Sequence, residues 1–259
     1  MKIKNYEELE VVPTGIPAFD RLLGVGGYPR KYMTMISGQG GVGKTTIAIQ
    51  GIIAAQKKGL KVLYVETDYK FVPNYFKSLG IDFKKLTVLQ EQIGETLLSE
   101  LVEEIDTGKY GLLVIDTISK ITPREELEKD FDGATIGKQA MLIGRFLRKL
   151  KYLASIHNVA VVLLNHERVD FMNNGRIKTP GGEAIQEDVV IWVRMSHTGE
   201  SLKLGPVQVG KRIKAKVWRM NQVAATEGHE VILEVFNGEG FSTVTDLVEQ
   251  AKEKLFEKK

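Results

Sequence analysis

The chain has 259 residues, of which 43% are hydrophobic and 27% charged, a composition typical of a globular protein with one large or two small domains. Because it contains no cysteine, disulfides, thiolate catalysis and Cys-ligated metal centres are excluded, and its four histidines argue against a His-rich metal site. No apolar run approaches the roughly 18 residues that span a bilayer, and the N-terminus lacks the apolar segment of a secretory signal. We therefore expect a cytoplasmic protein with no membrane partner.

Apolar runs alternate with helical periods along the chain, which predicts an α/β fold with a mainly parallel central sheet flanked by helices. The elements predicted in this part are a strand at 32–37, a Gly-rich turn at 38–43, a helix at 44–58, a strand at 61–66, a helix at 74–79, a strand at 87–90, a helix at 95–105, a strand at 111–116, a helix at 135–157 and a strand at 160–165. Strands at 189–195, 212–219 and 230–236, joined by turns, predict antiparallel additions near the C-terminus. With no repeat or linker, residues 1–259 are predicted to form one domain, with a short arm at 1–11 and a tail at 249–259.

The Gly-rich turn matches the phosphate-binding pattern G-x-x-x-x-G-K-[ST], and it lies between a predicted strand and a predicted helix as that pattern requires. Backbone N–H groups of such a turn surround phosphates, and the helix N-terminus adds its dipole. Lys44, expected at an exposed helix start, would reach the β- and γ-phosphates, and the Thr45 hydroxyl would ligate Mg²⁺. The predicted ATP-binding residues are Gly38, Gly40, Gly41, Val42, Gly43, Lys44, Thr45 and Thr46.

Acidic residues end two of the predicted buried strands. Asp116 follows four apolar residues, so we expect it beside the phosphate-binding turn, where it would hold Mg²⁺ together with Thr45. The strand at 61–66 ends in Glu66, with Asp68 close behind. Either acid could orient the attacking water as a general base, and the strand alone does not decide between them.

Positive charge is concentrated in one segment of a chain whose net charge is only +3. Residues 201–220 contain no acidic residue and six basic ones, namely Lys203, Lys211, Arg212, Lys214, Lys216 and Arg219. Local basic surface favours a polyanionic partner. The alternative is an ordinary pair of solvated surface strands.

The order of these motifs resembles the RecA family of recombinases. Residues 12–15 and 19–29 look like the entry motif of that family, which runs directly into the phosphate-binding turn. The resemblance implies that Asp68, in place of the usual Glu, is the catalytic acid and that Tyr75 stacks on adenine. It also implies that Asp116 is the Walker B acid and that His166, in place of Gln, senses the γ-phosphate. The resemblance extends from about Val12 to about residue 248, and it is closer to bacterial and phage proteins than to other branches, so the cytoplasm could be that of a host.

By the same resemblance, two loops at 126–137 and 167–180 bind single-stranded DNA, with backbone N–H groups and Arg on phosphates and apolar side chains between bases. The implied DNA-binding residues are Ile136, Arg148, Arg168, Phe171, Met172, Gly181 and Gly182. The implied function is that of a DNA-dependent ATPase that forms a filament or ring on single-stranded DNA and exchanges strands with duplex DNA. For the second loop the alternative is a plain surface connection, although long loops tend to be functional.

Departures from the family pattern keep other hypotheses open. Only 11 residues precede Val12, so we expect no long N-terminal element linking subunits. We also expect no C-terminal domain of the bacterial type, because the resemblance already extends to about residue 248. The positions of two interface lysines look like Met220 and Gln222, beside Arg219. The second hypothesis is therefore a recombination mediator that binds ATP and DNA without exchanging strands. The third is a hexameric helicase-like motor on the same core.

Overall fold

The computed structural model describes residues 8–128, 137–170, 176–178, 183–221 and 223–243. Its strands are β1 (Val11–Val12), β2 (Tyr28–Pro29), β3 (Met33–Gly38), β4 (Lys61–Glu66), β5 (Leu86–Gln90), β6 (Tyr110–Asp116), β7 (Ala160–His166), β8 (Arg168–Asp170), β9 (Arg176–Lys178), β10 (Ile191–Leu204), β11 (Val207–Met220), β12 (Glu230–Phe236) and β13 (Gly240–Phe241). Its helices are α1 (Pro17–Leu22), α2 (Lys44–Lys57), α3 (Pro73–Ser78), α4 (Gly94–Asp106), α5 (Arg124–Glu128), α6 (Lys138–Ile156) and α7 (Glu183–Asp188). Single 3₁₀ turns lie at Phe83–Lys85 and Ile118–Lys120.

Nine of the described strands form one sheet in the order β13-β12-β11-β10-β3-β7-β6-β4-β5. Neighbours from β10 to β5 are parallel, and neighbours from β10 to β13 are antiparallel. The predicted fold class is confirmed, including the antiparallel strands near the C-terminus. The division of residues 1–259 into an arm, one core domain and a tail stays a prediction.

Successive side chains of a strand point to opposite sides of the sheet. Both faces of the central strands are buried, because helices cover the sheet on each side. In β6, Leu112 and Val114 pack into the cluster that contains α1, α2 and α3. Leu113 and Ile115 pack on the other face, with α4 and α6. The continuous apolar runs of the sequence are therefore the two-sided strands of an α/β sheet.

Several predicted boundaries change for local reasons. The helix predicted at 135–157 begins at Lys138, because Gly137 takes a left-handed backbone with φ of 98°; residues 135 and 136 lie outside the described residues. The loop predicted at 126–137 overlaps α5, and the loop predicted at 167–180 contains β8 and β9, which pair with each other. The two strands predicted at 189–195 and 212–219 are longer and form a hairpin of 14 residues on each side. None of the described helices has the length and apolar character that a bilayer crossing requires.

A buried polar network joins β3 and β10 to Glu167, the residue that directly follows β7. The Glu167 carboxylate, 2% exposed, accepts hydrogen bonds from Ser37 Oγ and Arg194 Nε, each at 2.7 Å. Ser37 Oγ in turn accepts from Trp192 Nε1 at 2.7 Å, and the Arg194 guanidinium lies 3.9 Å above the centre of the Trp218 ring. The buried carboxylate thus has a cation and a hydroxyl as partners, as a charge away from water requires.

We expect Glu167→Ala to lower the free energy of unfolding by about 2–4 kcal/mol, because it leaves the partly buried Arg194 charge and the buried Ser37 hydroxyl without their carboxylate partner. Urea unfolding measures this change. The matched control is Glu200→Ala, which breaks the ion pair with Arg212 at a carboxylate that is 58% exposed and should cost far less, because solvent screens an exposed pair. Equal losses for the two variants would contradict the proposed importance of the network.

Candidate functional site

The register of the parallel strands brings four carboxyl ends to one edge of the sheet. Gly38 at the end of β3 is paired with His166 at the end of β7, and Glu66 at the end of β4 is paired with Asp116 at the end of β6. Ligands of open α/β sheets bind at this edge. The structure therefore brings together the phosphate-binding turn, both candidate acids and His166.

At two positions of the phosphate-binding turn the backbone geometry requires a glycine. A Cβ at Gly38 would lie 2.4 Å from the Met195 carbonyl oxygen, because β10 runs directly alongside. Gly43 is the N-cap of α2 in a left-handed conformation with φ of 86°, which disfavours residues with a side chain. Val42 is buried in the core between them and anchors the turn. The turn and the N-terminus of α2 therefore lie at the edge of the sheet where the parallel strands end.

Lys44 is buried, which makes the expectation of an exposed lysine wrong. Its Nζ donates to the carbonyl oxygens of Gly38 and Gln39, both at 2.8 Å. Burial lowers the pKa of Lys44 to about 8, against the opposing effect of the acids Asp116 and Glu167. A phosphate beside this ammonium would raise the pKa again, because a nearby anion favours the protonated form.

The donors suited to a metal lie on the neighbouring strand and at the start of α2. Thr45 Oγ1 donates to Asp116 Oδ2 at 2.7 Å, and Tyr64 OH donates to the same oxygen at 3.1 Å. Burial raises the pKa of Asp116, and the nearby Glu66 carboxylate acts in the same direction. A hydroxyl and a carboxylate fit Mg²⁺, which takes few protein oxygens and completes its shell with water and phosphate. Among the described residues no cluster of three or more acids and histidines forms a metal site of its own.

The two candidate acids of β4 have different surroundings. Glu66 is buried, and its carboxylate accepts from the backbone N–H groups of Asp68 at 2.9 Å and Lys70 at 3.0 Å and from Gln90 Nε2 at 3.2 Å. Its oxygens thus hold the turn that follows β4. Both acids border one cavity beside Asp116, and the Asp68 carboxylate is one-fifth exposed. The greater exposure of Asp68 favours it over Glu66 as the acid that meets water.

Two adjoining cavities lie above this edge, of about 320 Å³ and 350 Å³. Both are bordered by Thr45, the exposed ring of Tyr75 and His166. Thr46 and the turn after β12 line the first cavity, and Asp68 and Asp116 line the second. Burial lowers the pKa of His166, with Lys44 next in effect, so its ring is neutral near pH 7 and can donate one hydrogen bond.

Comparison with known proteins identifies the family to which this site belongs. The family model of the RecA N-terminal domain matches residues 1–242. The chain belongs to the RecA family of recombinases. Protein RecA of Aquifex aeolicus (strain VF5) is 32% identical over 255 residues, covering 97% of this chain and 73% of that protein. Protein RecA of Thermus aquaticus is 34% identical over 247 residues, 94% and 72% of the two chains. Protein RecA of Sulfurovum sp. (strain NBC37-1) is 33% identical over 251 residues, 95% and 71%.

The RecA-type DNA contacts predicted from the sequence are only partly described. Arg148 is exposed on α6, and the backbone of Arg168 begins β8 directly after the nucleotide site. The remaining predicted contacts lie outside the described residues, namely Ile136, Phe171, Met172, Gly181 and Gly182. All of these assignments stay predictions.

The basic segment at 201–220 is less positive than its sequence indicated, because acids from outside the segment pair with it. Arg212 contacts Glu200 at 2.7 Å and Glu234 at 3.1 Å, and Lys214 lies 3.8 Å from Glu230. The hairpin of β10 and β11 is therefore partly neutralised. This pairing weakens the argument that the whole segment binds a polyanion.

Two basic residues of this RecA-type chain reach the phosphate-binding turn itself, which the sequence did not indicate. Lys211 Nζ donates to the Gly41 carbonyl at 2.6 Å, and His197 Nε2 lies 3.2 Å from the Gly40 carbonyl. Lys211 also lines the first cavity together with Asn237 and Gly238 of the turn after β12. Their separation from the turn by more than 150 residues left no local signal of this contact.

We expect Lys44→Ala to abolish ATP hydrolysis, because the variant loses the ammonium that meets the β- and γ-phosphates. The fold should survive with a loss of at most about 1–2 kcal/mol, because a buried ammonium is itself costly to desolvate. Steady-state phosphate release and thermal unfolding measure the two effects. Lys57→Ala, at the exposed end of the same helix, is the control and should hydrolyse ATP normally. Hydrolysis by Lys44→Ala at the wild-type rate would contradict the phosphate-site assignment.

We expect Asp68→Asn to retain ATP binding and to slow turnover by about 10²–10⁴-fold, the usual effect of losing a general base. Single-turnover hydrolysis at saturating ATP separates this effect from weaker binding. Glu66→Gln is the matched comparison, since it changes the neighbouring buried acid that holds the turn. Normal turnover in Asp68→Asn together with lost turnover in a folded Glu66→Gln would show that Glu66 is the base.

Proposed function

We propose that the chain is an ATP-dependent, single-stranded DNA-binding recombinase that forms nucleoprotein filaments and promotes homologous pairing and strand exchange with duplex DNA. It would hydrolyse ATP to ADP and phosphate with Mg²⁺, in the cytoplasm of its own cell or of a host. Membership of the RecA family supports the recombinase, and it does not favour the mediator hypothesis.

The observation that carries the ATP dependence of DNA binding is a carbonyl shared by two parts of the site. The Gly38 oxygen accepts from Lys44 Nζ at 2.8 Å and from the backbone N–H of Glu167 at 3.0 Å. Lys44 is the candidate phosphate ligand, and Glu167 directly precedes β8, where the second predicted DNA loop begins. A nucleotide that draws on Lys44 therefore acts one hydrogen bond away from the base of that loop.

The geometry also supports a division of labour in hydrolysis. Lys44 and the N–H groups of the turn would bind the phosphates, and Thr45 with Asp116 would hold Mg²⁺. When bound, Mg²⁺ supplies positive charge to the β- and γ-phosphate oxygens. Asp68 would orient the attacking water and accept its proton, and neutral His166 would donate to the γ-phosphate. Tyr75, exposed at the cavity mouth, would stack on the adenine ring.

We expect single-stranded DNA affinity to fall steeply with salt and to require nucleotide. Each phosphate contact contributes a log–log slope of about −0.7. Arg168→Ala and Arg148→Ala should each reduce the slope by about one contact and weaken all sequences alike, because phosphate contacts carry no sequence information. Salt titrations of fluorescent oligonucleotides, with and without a non-hydrolysable ATP analogue, measure both dependences.

Arg21→Ala is the matched control for these arginines. Arg21 is exposed on α1, whose buried residues belong to the opposite face of the sheet from those of α6. Its removal should leave the slope unchanged. An affinity that responds to neither salt nor nucleotide would contradict the proposed function.

Joint-molecule formation between a single strand and a homologous duplex separates the hypotheses. A recombinase should form joint molecules and show filaments by electron microscopy with the ATP analogue. DNA-stimulated ATPase activity without joint molecules would instead support the mediator. Directional unwinding would support a helicase-like motor.

A further inference from the structure

The carboxylate of Asp68 contacts two lysines, one on each oxygen. Lys70 Nζ contacts Oδ2, and Lys120 Nζ lies 3.3 Å from Oδ1. Burial alone would raise the pKa of Asp68, but the hydrogen bonds and charges of the two lysines outweigh it and lower the pKa. A carboxylate engaged in this way is a weakened base, because both of its oxygens already accept from ammonium groups.

The two lysines also lie beside the place where a γ-phosphate must sit. A general base has to be within reach of the water that attacks the γ-phosphorus, so the partners of Asp68 are close to that phosphate as well. Asp68 borders the same cavity as Thr45, Asp116 and His166. The charges of Lys70 and Lys120 contribute, after burial and Lys44, to the lowered pKa of His166. Lys70 thus lines the cavity itself, and Lys120 reaches its edge through the contact with Asp68.

Lys120 is the better fixed of the two. It follows the Asp116–Thr117 pair in a 3₁₀ turn, where its backbone N–H donates to the Thr117 carbonyl at 3.2 Å. Its side chain is 41% exposed, whereas that of Lys70 is 76% exposed. A cation fixed by the end of a central strand costs less to order at a phosphate than one on an open turn.

We propose that Lys120 is a catalytic residue that binds the γ-phosphate of ATP from within the same subunit and, in doing so, frees Asp68 Oδ1 to act on water while Lys70 stays on Oδ2. This inference rests on the proposed ATPase activity and adds a residue to it. A γ-phosphate carries more negative charge than one carboxylate, so at a similar distance it attracts the ammonium more strongly. The exchange would therefore occur only with a nucleotide that has a γ-phosphate.

The reaction step balances without any further reactant. The water oxygen forms a bond to the γ-phosphorus, and the bond from that phosphorus to the β–γ bridging oxygen breaks. The electron pair of the broken bond stays on the β-phosphate of ADP, and the water proton passes to Asp68. Lys120 transfers no proton and supplies charge to the oxygens of the phosphoryl group throughout.

The test compares Lys120→Met, Lys120→Arg and wild type for ADP affinity, affinity for a non-hydrolysable ATP analogue, and single-turnover hydrolysis. Lys120→Met should weaken analogue binding about tenfold or more, the usual effect of losing one charge-assisted hydrogen bond. ADP affinity should stay within about twofold, which also shows that the variant is folded. Turnover should fall about 10²–10³-fold, as for loss of one transition-state donor. Lys120→Arg should recover most of the analogue affinity.

The matched control is Lys109→Met. Lys109 is 37% exposed and pairs with Glu104 at 2.9 Å, so it is an ion-paired lysine of similar exposure outside the cavity. This variant should behave as wild type.

Two results would overturn the inference. If Lys120→Met keeps wild-type analogue affinity and turnover, Lys120 does not meet the γ-phosphate. If it hydrolyses ATP faster than wild type, Lys120 only restrains Asp68. Failure of the proposed function itself is distinguishable, because the wild-type protein would then bind neither nucleotide.

Discussion

The register of four parallel strands is the constraint on which the site depends. Because β3 pairs with β7 and β6 with β4, the residues that end these strands lie side by side at one edge. A slip of one residue in any pair would send each of that strand's side chains to the other face of the sheet. Burial on both faces opposes such a slip, since Leu112 and Leu113 already pack into opposite apolar clusters. The packing of the hydrophobic core thus determines the relative positions of the candidate site residues at the ends of these strands.

The same strands carry the buried carboxylate of Glu167, which stabilises the boundary between the nucleotide edge and the segment beyond it. Its partners Ser37 and Arg194 come from β3, which is the neighbour of β7 in the sheet, and from β10, which is the next strand beyond β3. A buried ion pair adds little net stability compared with an apolar core, but losing one partner is costly. Such a pair determines which side chains contact each other. Here it holds Glu167 in place between His166 of the candidate nucleotide site and Arg168 of the second predicted DNA loop.

The sequence predicts those features of the site that depend on neighbouring residues, and it does not predict those that depend on contacts between residues far apart in the chain. The placement of the phosphate-binding turn and of Asp116 at one edge of the sheet was predictable, because a Gly-rich turn between strand and helix and an acid at a strand end each have a short-range pattern. The burial of Lys44 was not, since it depends on two carbonyls folding back over the ammonium. Neither was the neutralisation of Arg212, whose partners Glu200 and Glu234 lie just outside the basic segment or on the next strand. The composition of the segment gives its net charge, but only the packed structure shows which of its charged side chains form ion pairs.

The charged and polar side chains of the candidate nucleotide site already have hydrogen-bond or ion-pair partners within the protein. A nucleotide would have to replace some of these partners in order to bind. Lys44 and Lys211 donate to carbonyls of the turn, Thr45 donates to Asp116, and Asp68 accepts from lysines. A nucleotide therefore exchanges partners rather than simply adding contacts, and its net affinity is the difference between the two sets. On the proposed role of Lys120, such an exchange favours the ligand with most charge at the γ position, since that charge replaces the Asp68 carboxylate as the partner of Lys120. The proposal therefore derives discrimination between ATP and ADP from the internal pairing of the site, without any group that must exclude ADP sterically.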